Sequence, residues 1–168
     1  MRLLKLKKLY ALGFEYERKN GNCAQCTLAA LLDFLGTKSE NLFKAATALC
    51  GGTADMGDGN CGGYSGGALV LGLLYGRERK DFSDRDKTDR ANKLARKLRA
   101  RFIEEYGGVT CQDVQRKVFG RAFDSQDPED NKVWEEAGGP TDKCPSVVGK
   151  AACWTYEIIL AENANMKP

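Results

Sequence analysis

Residues 22–36, NCAQCTLAALLDFLG, read as a helix with both ends marked. Asn22 is of the kind that caps a helix N-terminus, and Gly36 of the kind that closes a C-terminus. Between them Leu28, Ala29, Ala30, Leu31, Leu32, Phe34 and Leu35 leave an apolar surface on most sides, so this helix belongs at the centre of a bundle. The flanking segments fit that frame. Upstream, Leu3, Leu6, Leu9, Tyr10 and Leu12 are spaced as an amphipathic helix over 3–18, ended by Asn20-Gly21-Asn22. Downstream, Ser39 and Glu40 open a helix carrying Leu42, Phe43, Ala46 and Leu49 up to Cys50-Gly51-Gly52. Residues 66–76 read as a further helix, in which Ala68, Gly72 and Gly76 form a smooth stripe for close packing. A long charged helix over 83–106 has Ala91, Leu94, Ala95, Leu98, Phe102 and Tyr106 as its apolar face and stops at Gly107-Gly108. A short helix follows Cys111 through Val114 and Val118, then a polar excursion over 120–143 with a turn of helix near Trp134. Pro145 suits the first turn of a last helix, 146–162. With no useful strand alternation, the expectation is an all-α, single-domain bundle of about five to six helices across 1–168.

The bulk numbers narrow the function classes. A chain of 168 residues, 42% apolar and 29% charged, suits one soluble domain with its own core. A net charge of +3 without a clustered basic face does not point to nucleic acid. The basic stretch Arg90–Arg101 alternates with apolar residues and reads as a solvated helix face. The longest apolar run, Ala68–Tyr75, falls far short of the ~20 residues that span a bilayer. Lys5, Lys7 and Lys8 interrupt the N-terminal apolar run, so no signal peptide is read and the expected location is cytoplasmic. Thiols there stay reduced, which favours metal-binding or redox-active cysteines over structural disulfides.

The chain has seven cysteines and no histidine. The missing histidine removes Ser-His-Asp and Cys-His catalysis, histidine-ligated haem and mixed Cys/His zinc. No phosphate-binding GxxxxGK[ST] and no CxxCH haem attachment is present. Cys23-Ala-Gln-Cys26 is a CxxC: a redox pair whose first thiol would be acidified by a helix N-terminus, half of a metal site, or, for Cys26, just a small buried residue. In Cys61-Gly62-Gly63-Tyr64-Ser65-Gly66, backbone N–H groups at a glycine-rich helix start can hydrogen-bond a thiolate or a cluster sulfur, which makes Gly62 and Gly63 cofactor-binding candidates. Cys111 follows a Gly107-Gly108-Val109-Thr110 loop, and Cys144-Pro145 opens the last helix. Cys23, Cys61, Cys111 and Cys144 thus share one context, near predicted helix starts. Asp55, Asp58, Tyr64 and Ser65 lie near Cys61 in sequence and could donate or accept protons, but Asp55 and Asp58 read as solvated turn formers in the glycine loop, and Tyr64 and Ser65 read equally as packing and capping groups.

Four stretches, GNCAQCTLAAL (21–31), NCGGYSGGALVLGLLYG (60–76), FIEEYGGVTCQDV (102–114) and KCPSVVGKAACWTYEIIL (143–160), together resemble the small redox-active proteins named for a C-GCAxxC-C-C pattern, with four cysteines and a CGAxxG motif. On that resemblance the four cysteines are Cys23, Cys61, Cys111 and Cys144, and residues 61–66 are the motif, with Gly63 where the family usually has alanine. Cys26, Cys50 and Cys153 are additional. A related domain occurs in split-Soret cytochrome, associated with an iron–sulfur centre besides its haems. The resemblance therefore implies that the four thiolates hold one iron–sulfur cluster, [2Fe–2S] or [4Fe–4S], for electron transfer, while the haems do not carry over. Metal-free thiol–disulfide chemistry through Cys23/Cys26 or two of the four, a structural Cys₄ zinc site and a plain interaction module are the alternatives. The redox partner is unspecified. The Ala68/Gly72/Gly76 stripe and the N-terminal helix would each suit a homodimer or an intramolecular contact.

Overall fold

The computed structural model describes residues 2–165, and among these it contains helices and no strand. The α-helices are α1 (Arg2–Asn20), α2 (Cys23–Leu35), α3 (Glu40–Ala45), α4 (Gly62–Tyr75), α5 (Asp89–Tyr106), α6 (Cys111–Phe119), α7 (Pro128–Glu136) and α8 (Cys144–Ala164). The all-α expectation holds, but the count among the described residues is eight rather than five to six. The excess comes from short helices with their own end signals. In the polar excursion, Asp127 caps α7 by accepting from the Glu129 N–H, and Pro128 occupies the first turn, where no N–H is needed. The expected helix from Ser39 to Cys50 is cut to the six residues of α3 and a separate 3₁₀ turn, Thr47–Leu49.

The central helices are α2 and α8, the second burying Val147, Val148, Ala151, Ala152, Tyr156 and Ile159. α1 lies along α8, and α2 along α4. The α1–α8 crossing is made by two glycines: a Cβ on Gly13 would meet Gly149 Cα at 3.3 Å, and one on Gly149 would press on the Tyr10 ring at 2.8 Å. On α1 the buried positions are Leu9, Gly13 and Glu17, spaced by four, whereas Leu3 is on the surface.

α4 starts at Gly62, four residues before the expected start, because its glycines are contact points rather than breakers. Gly66 is pressed on the Ala24 carbonyl and Thr27 of α2, and Gly67 on Leu98 and Thr155. The stripe expected to pack, Ala68/Gly72/Gly76, does not: a Cβ on Gly72 would meet nothing within 4 Å, and Gly76 is the residue that ends α4. An aromatic cluster of Tyr64, Phe102, Tyr106 and Trp154 fills the space between α4, α5 and α8.

Candidate functional site

Four cysteines stand at four helix starts. Cys23 is the first residue of α2, after Asn22, whose left-handed backbone (φ 65°) turns the chain and whose Oδ1 accepts from the Gln25 N–H at 3.1 Å. Cys61 is the N-cap of α4. Cys111 opens α6 behind a capping box, in which Thr110 and Asp113 satisfy each other's backbone N–H groups. Cys144 opens α8 directly after a π-helical turn, Gly139–Lys143.

Three contacts bring these ends together. An antiparallel bridge between Asn60 and Thr110, with Cys61 N–H donating to Val109 O at 2.8 Å and Cys111 N–H to Gly59 O at 3.0 Å, ties the start of α4 to that of α6. The missing Cβ of Gly62 lets Cys23 Sγ lie against the first turn of α4. The Gly139 backbone lies on the Trp134 indole, which itself approaches Cys144. The result is a cavity of about 580 Å³ lined by Cys23, Cys61, Cys111 and Cys144. Cys50 lines it too, whereas Cys26 and Cys153 do not: their thiols donate to Gly21 O (2.7 Å) and Leu6 O (3.3 Å).

Cys50 is held by an unusual turn. Gly51, Gly52, Thr53, Ala54 and Asp55 run consecutively at positive φ, three of them with side chains that disfavour it. The turn closes through Ala54 N–H to Ala48 O at 2.8 Å and Gly57 N–H to Gly51 O at 2.8 Å. It aims Asp55 at the Cys50 thiol and the Gly51 N–H at Cys23.

Burial dominates the electrostatics. It pushes the Cys61 thiol up to about 11, against hydrogen bonds from the Gly63 and Tyr64 N–H groups, and Cys111 up to about 12, helped by Cys61 and Asp55. Cys23 and Cys144 are raised well above the ordinary thiol value, again by burial first and then by their sulfur neighbours. By exposure, Cys23, Cys111 and Cys144 are half-buried and Cys61 is buried. The helix start was expected to acidify Cys23 as one member of a redox pair; desolvation reverses that sign. Cys26 is also raised by burial, and the CxxC pair is split between the cavity and the Gly21 carbonyl.

A family model described as putative redox-active protein (C_GCAxxG_C_C) matches residues 21–158. The chain belongs to this family. No curated protein and no solved structure matches it. The C_GCAxxG_C_C pattern carries four cysteines, and this chain has seven. At Gly63, a Cβ would meet Ala151 Cβ at 3.3 Å and Phe102 Cζ at 3.6 Å, a tight but nearly ordinary fit. In this C_GCAxxG_C_C member the backbone N–H of Gly63 faces the Cys61 sulfur, while Gly62 makes room for Cys23.

Three polar groups around the thiols went unread in the sequence. Glu17, 8% exposed, lines the cavity, and its Oε2 has no hydrogen-bond partner. Trp134 Nε1 and the Tyr106 hydroxyl are also buried without a partner; the first is close enough to Cys144 to lower its pKa, and the second lies in the field of Cys61 and Cys144. The signal for Glu17 was its register, four residues beyond Gly13 and eight beyond Leu9 on one face of α1. Among the described residues no group of three or more cysteine, aspartate or glutamate side chains is set to hold a lone metal ion. The four sulfurs face one space without meeting at one point.

Proposed function

We propose that Cys23, Cys61, Cys111 and Cys144 hold one iron–sulfur cluster in this cavity, and that the protein carries electrons through it. The observation that carries the reading is that four thiols at four helix starts line one cavity, where burial raises each above the ordinary thiol value. Burying thiolates without a cation is costly, and iron supplies that cation. The surroundings fit such a group. Trp134 N–H and the Tyr106 hydroxyl are donors awaiting an acceptor near the sulfurs, and Gly63 and Tyr64 N–H groups already face Cys61. Hydrogen bonds to sulfur of this kind set cluster potentials. In a [4Fe–4S] cluster the four cysteines bind separate iron atoms, so sulfurs spread around a cavity suit such a cluster better than a lone ion.

When bound, the cluster would supply one-electron chemistry. The chain's own groups would hold the sulfurs, exclude bulk water and donate hydrogen bonds to them. The test is anaerobic reconstitution with iron and sulfide, followed by an absorption spectrum and iron, zinc and sulfide quantification on one sample. Visible absorbance with matching iron and sulfide, lost in the Cys61→Ser/Cys144→Ser double variant, is the expected result. A colourless protein, one carrying only zinc, or absorbance that survives the double substitution would refute the reading.

A further inference from the structure

The cavity extends past its sulfurs. Besides the thiols it is lined by Val114, Val118, Phe119 and Phe123, side chains that can neither ligate metal nor donate to sulfur. A volume of about 580 Å³ is in the range of small-molecule pockets, and apolar walls with a few placed polar groups are their usual make-up. The placed group here is Glu17: nine-tenths buried, lining the cavity, with an oxygen that nothing in the chain satisfies. A buried acid left so costs stability unless a ligand meets it.

The charge of that ligand follows from the other groups lining the cavity. Arg18, the basic side chain beside Glu17, donates to Glu15 through two guanidinium nitrogens, Nε at 3.2 Å and Nη2 at 2.7 Å. The remaining charged group on the lining is Asp55, an acid, and the thiols can only add negative charge. We propose that the space between Glu17 and the α6 wall binds a small organic cation, a compact amine with an apolar body. Its ammonium group donates to Glu17, and its body rests on Val118, Phe119 and Phe123. This makes the site a substrate chamber beside the thiols, more than an electron relay. The assignment stands on Glu17 and the apolar wall, so it is independent of whether iron is bound.

Three probes with one apolar body separate the terms: benzylamine, benzyl alcohol and benzoate, titrated against the full-length protein by calorimetry, in metal-free and iron-reconstituted form. Benzylamine should bind the metal-free protein about tenfold or more tighter than benzyl alcohol, the size of one charge-assisted hydrogen bond, and benzoate should not bind. Glu17→Gln should abolish the preference while leaving weak binding of benzyl alcohol. Val118→Trp, which fills the apolar half and keeps Glu17, should block benzylamine and benzyl alcohol alike. Equal affinity for amine and alcohol, a preference that survives Glu17→Gln, or no binding of benzylamine to the metal-free protein would overturn the proposal. None of these outcomes bears on the cluster, which the reconstituted sample reports separately by its absorbance.

Discussion

Replacing Glu17 with glutamine should make the metal-free protein more stable at neutral and alkaline pH. Burial raises the Glu17 carboxyl from 4.5 to about 7, outweighing a hydrogen bond from Cys26. The folded state therefore holds a proton that the unfolded chain releases between those values. Stability from this group is full below about pH 4.5 and is lost as pH rises toward 7, with no further loss above it. A shift of about 2.5 units, at 1.36 kcal/mol each, comes to about 3 kcal/mol. Glutamine keeps the shape and cannot ionise, so that loss disappears. The chain has no histidine to titrate in the same window, and the buried thiols stay protonated through it. Urea unfolding of both proteins under reductant, at pH 5 and pH 8, measures the difference. The variant should be ahead by roughly 1 kcal/mol at pH 5 and by about 3 kcal/mol at pH 8, with the same denaturant slope. Parallel pH profiles would show that Glu17 is ionised and solvated in the folded state, and the reasoning would fall.

On α4, Gly66→Ala and Gly67→Ala should each cost about 1–3 kcal/mol by overpacking onto Ala24, Thr27, Leu98 and Thr155, whereas Gly63→Ala should change stability by less than about 1 kcal/mol; thermal unfolding ranks the three. Iodoacetamide should label Cys61 of the metal-free protein at pH 7.5 about a hundredfold more slowly than free cysteine, with the rate rising about tenfold per pH unit up to about pH 11, as mass spectrometry of the peptide would show. Cys26→Ser and Cys153→Ser should leave the reconstituted spectrum intact, because neither thiol lines the cavity, while Cys111→Ser should remove or alter it. Thr110→Ala, which breaks the capping box in front of Cys111, should lower stability by about 1 kcal/mol in the same unfolding assay.

Some of this was legible in the sequence because the signals are local. Asn22 and Gly36 frame α2, Gly107 ends α5 at φ 79°, and both act through backbone geometry that one residue can dictate. The stretch 61–76 misled in two ways. Its helix was expected over 66–76, yet Gly62 and Gly63 are already helical, because helix propensity gives way to the close approach of α2 and α8. The Ala68/Gly72/Gly76 stripe looked like a packing face, yet Gly72 borders a surface groove; the spacing of small residues shows that a close approach is allowed, not that a partner is there. The bridge between Asn60 and Thr110 joins positions fifty residues apart and has no local signature. Glu17 was hidden because an acid on a helix is ordinarily solvated, and only its register with Leu9 and Gly13 betrays it.

The sign of the thiol shifts connects the fold to the chemistry. Placing a cysteine at a helix start exposes it to free N–H groups, and by itself that would favour a reactive thiolate. Here Gly63, Tyr64 and Gly51 do supply such groups to Cys61 and Cys23, and burial still wins at each. A thiol–disulfide catalyst needs the opposite balance, with one exposed, acidified sulfur. The proposed metal-binding set would tolerate this one: the N–H groups sit where thiolate charge would appear, and the thiols would ionise as the cation arrives. Cluster loading should then release protons as the thiols ionise, and fall steeply as pH drops. Protons released in weak buffer during anaerobic loading, counted beyond those that hydrosulfide gives up in becoming cluster sulfide, would test that coupling, and release of the hydrosulfide protons alone would mean the cysteine sulfurs were ionised all along.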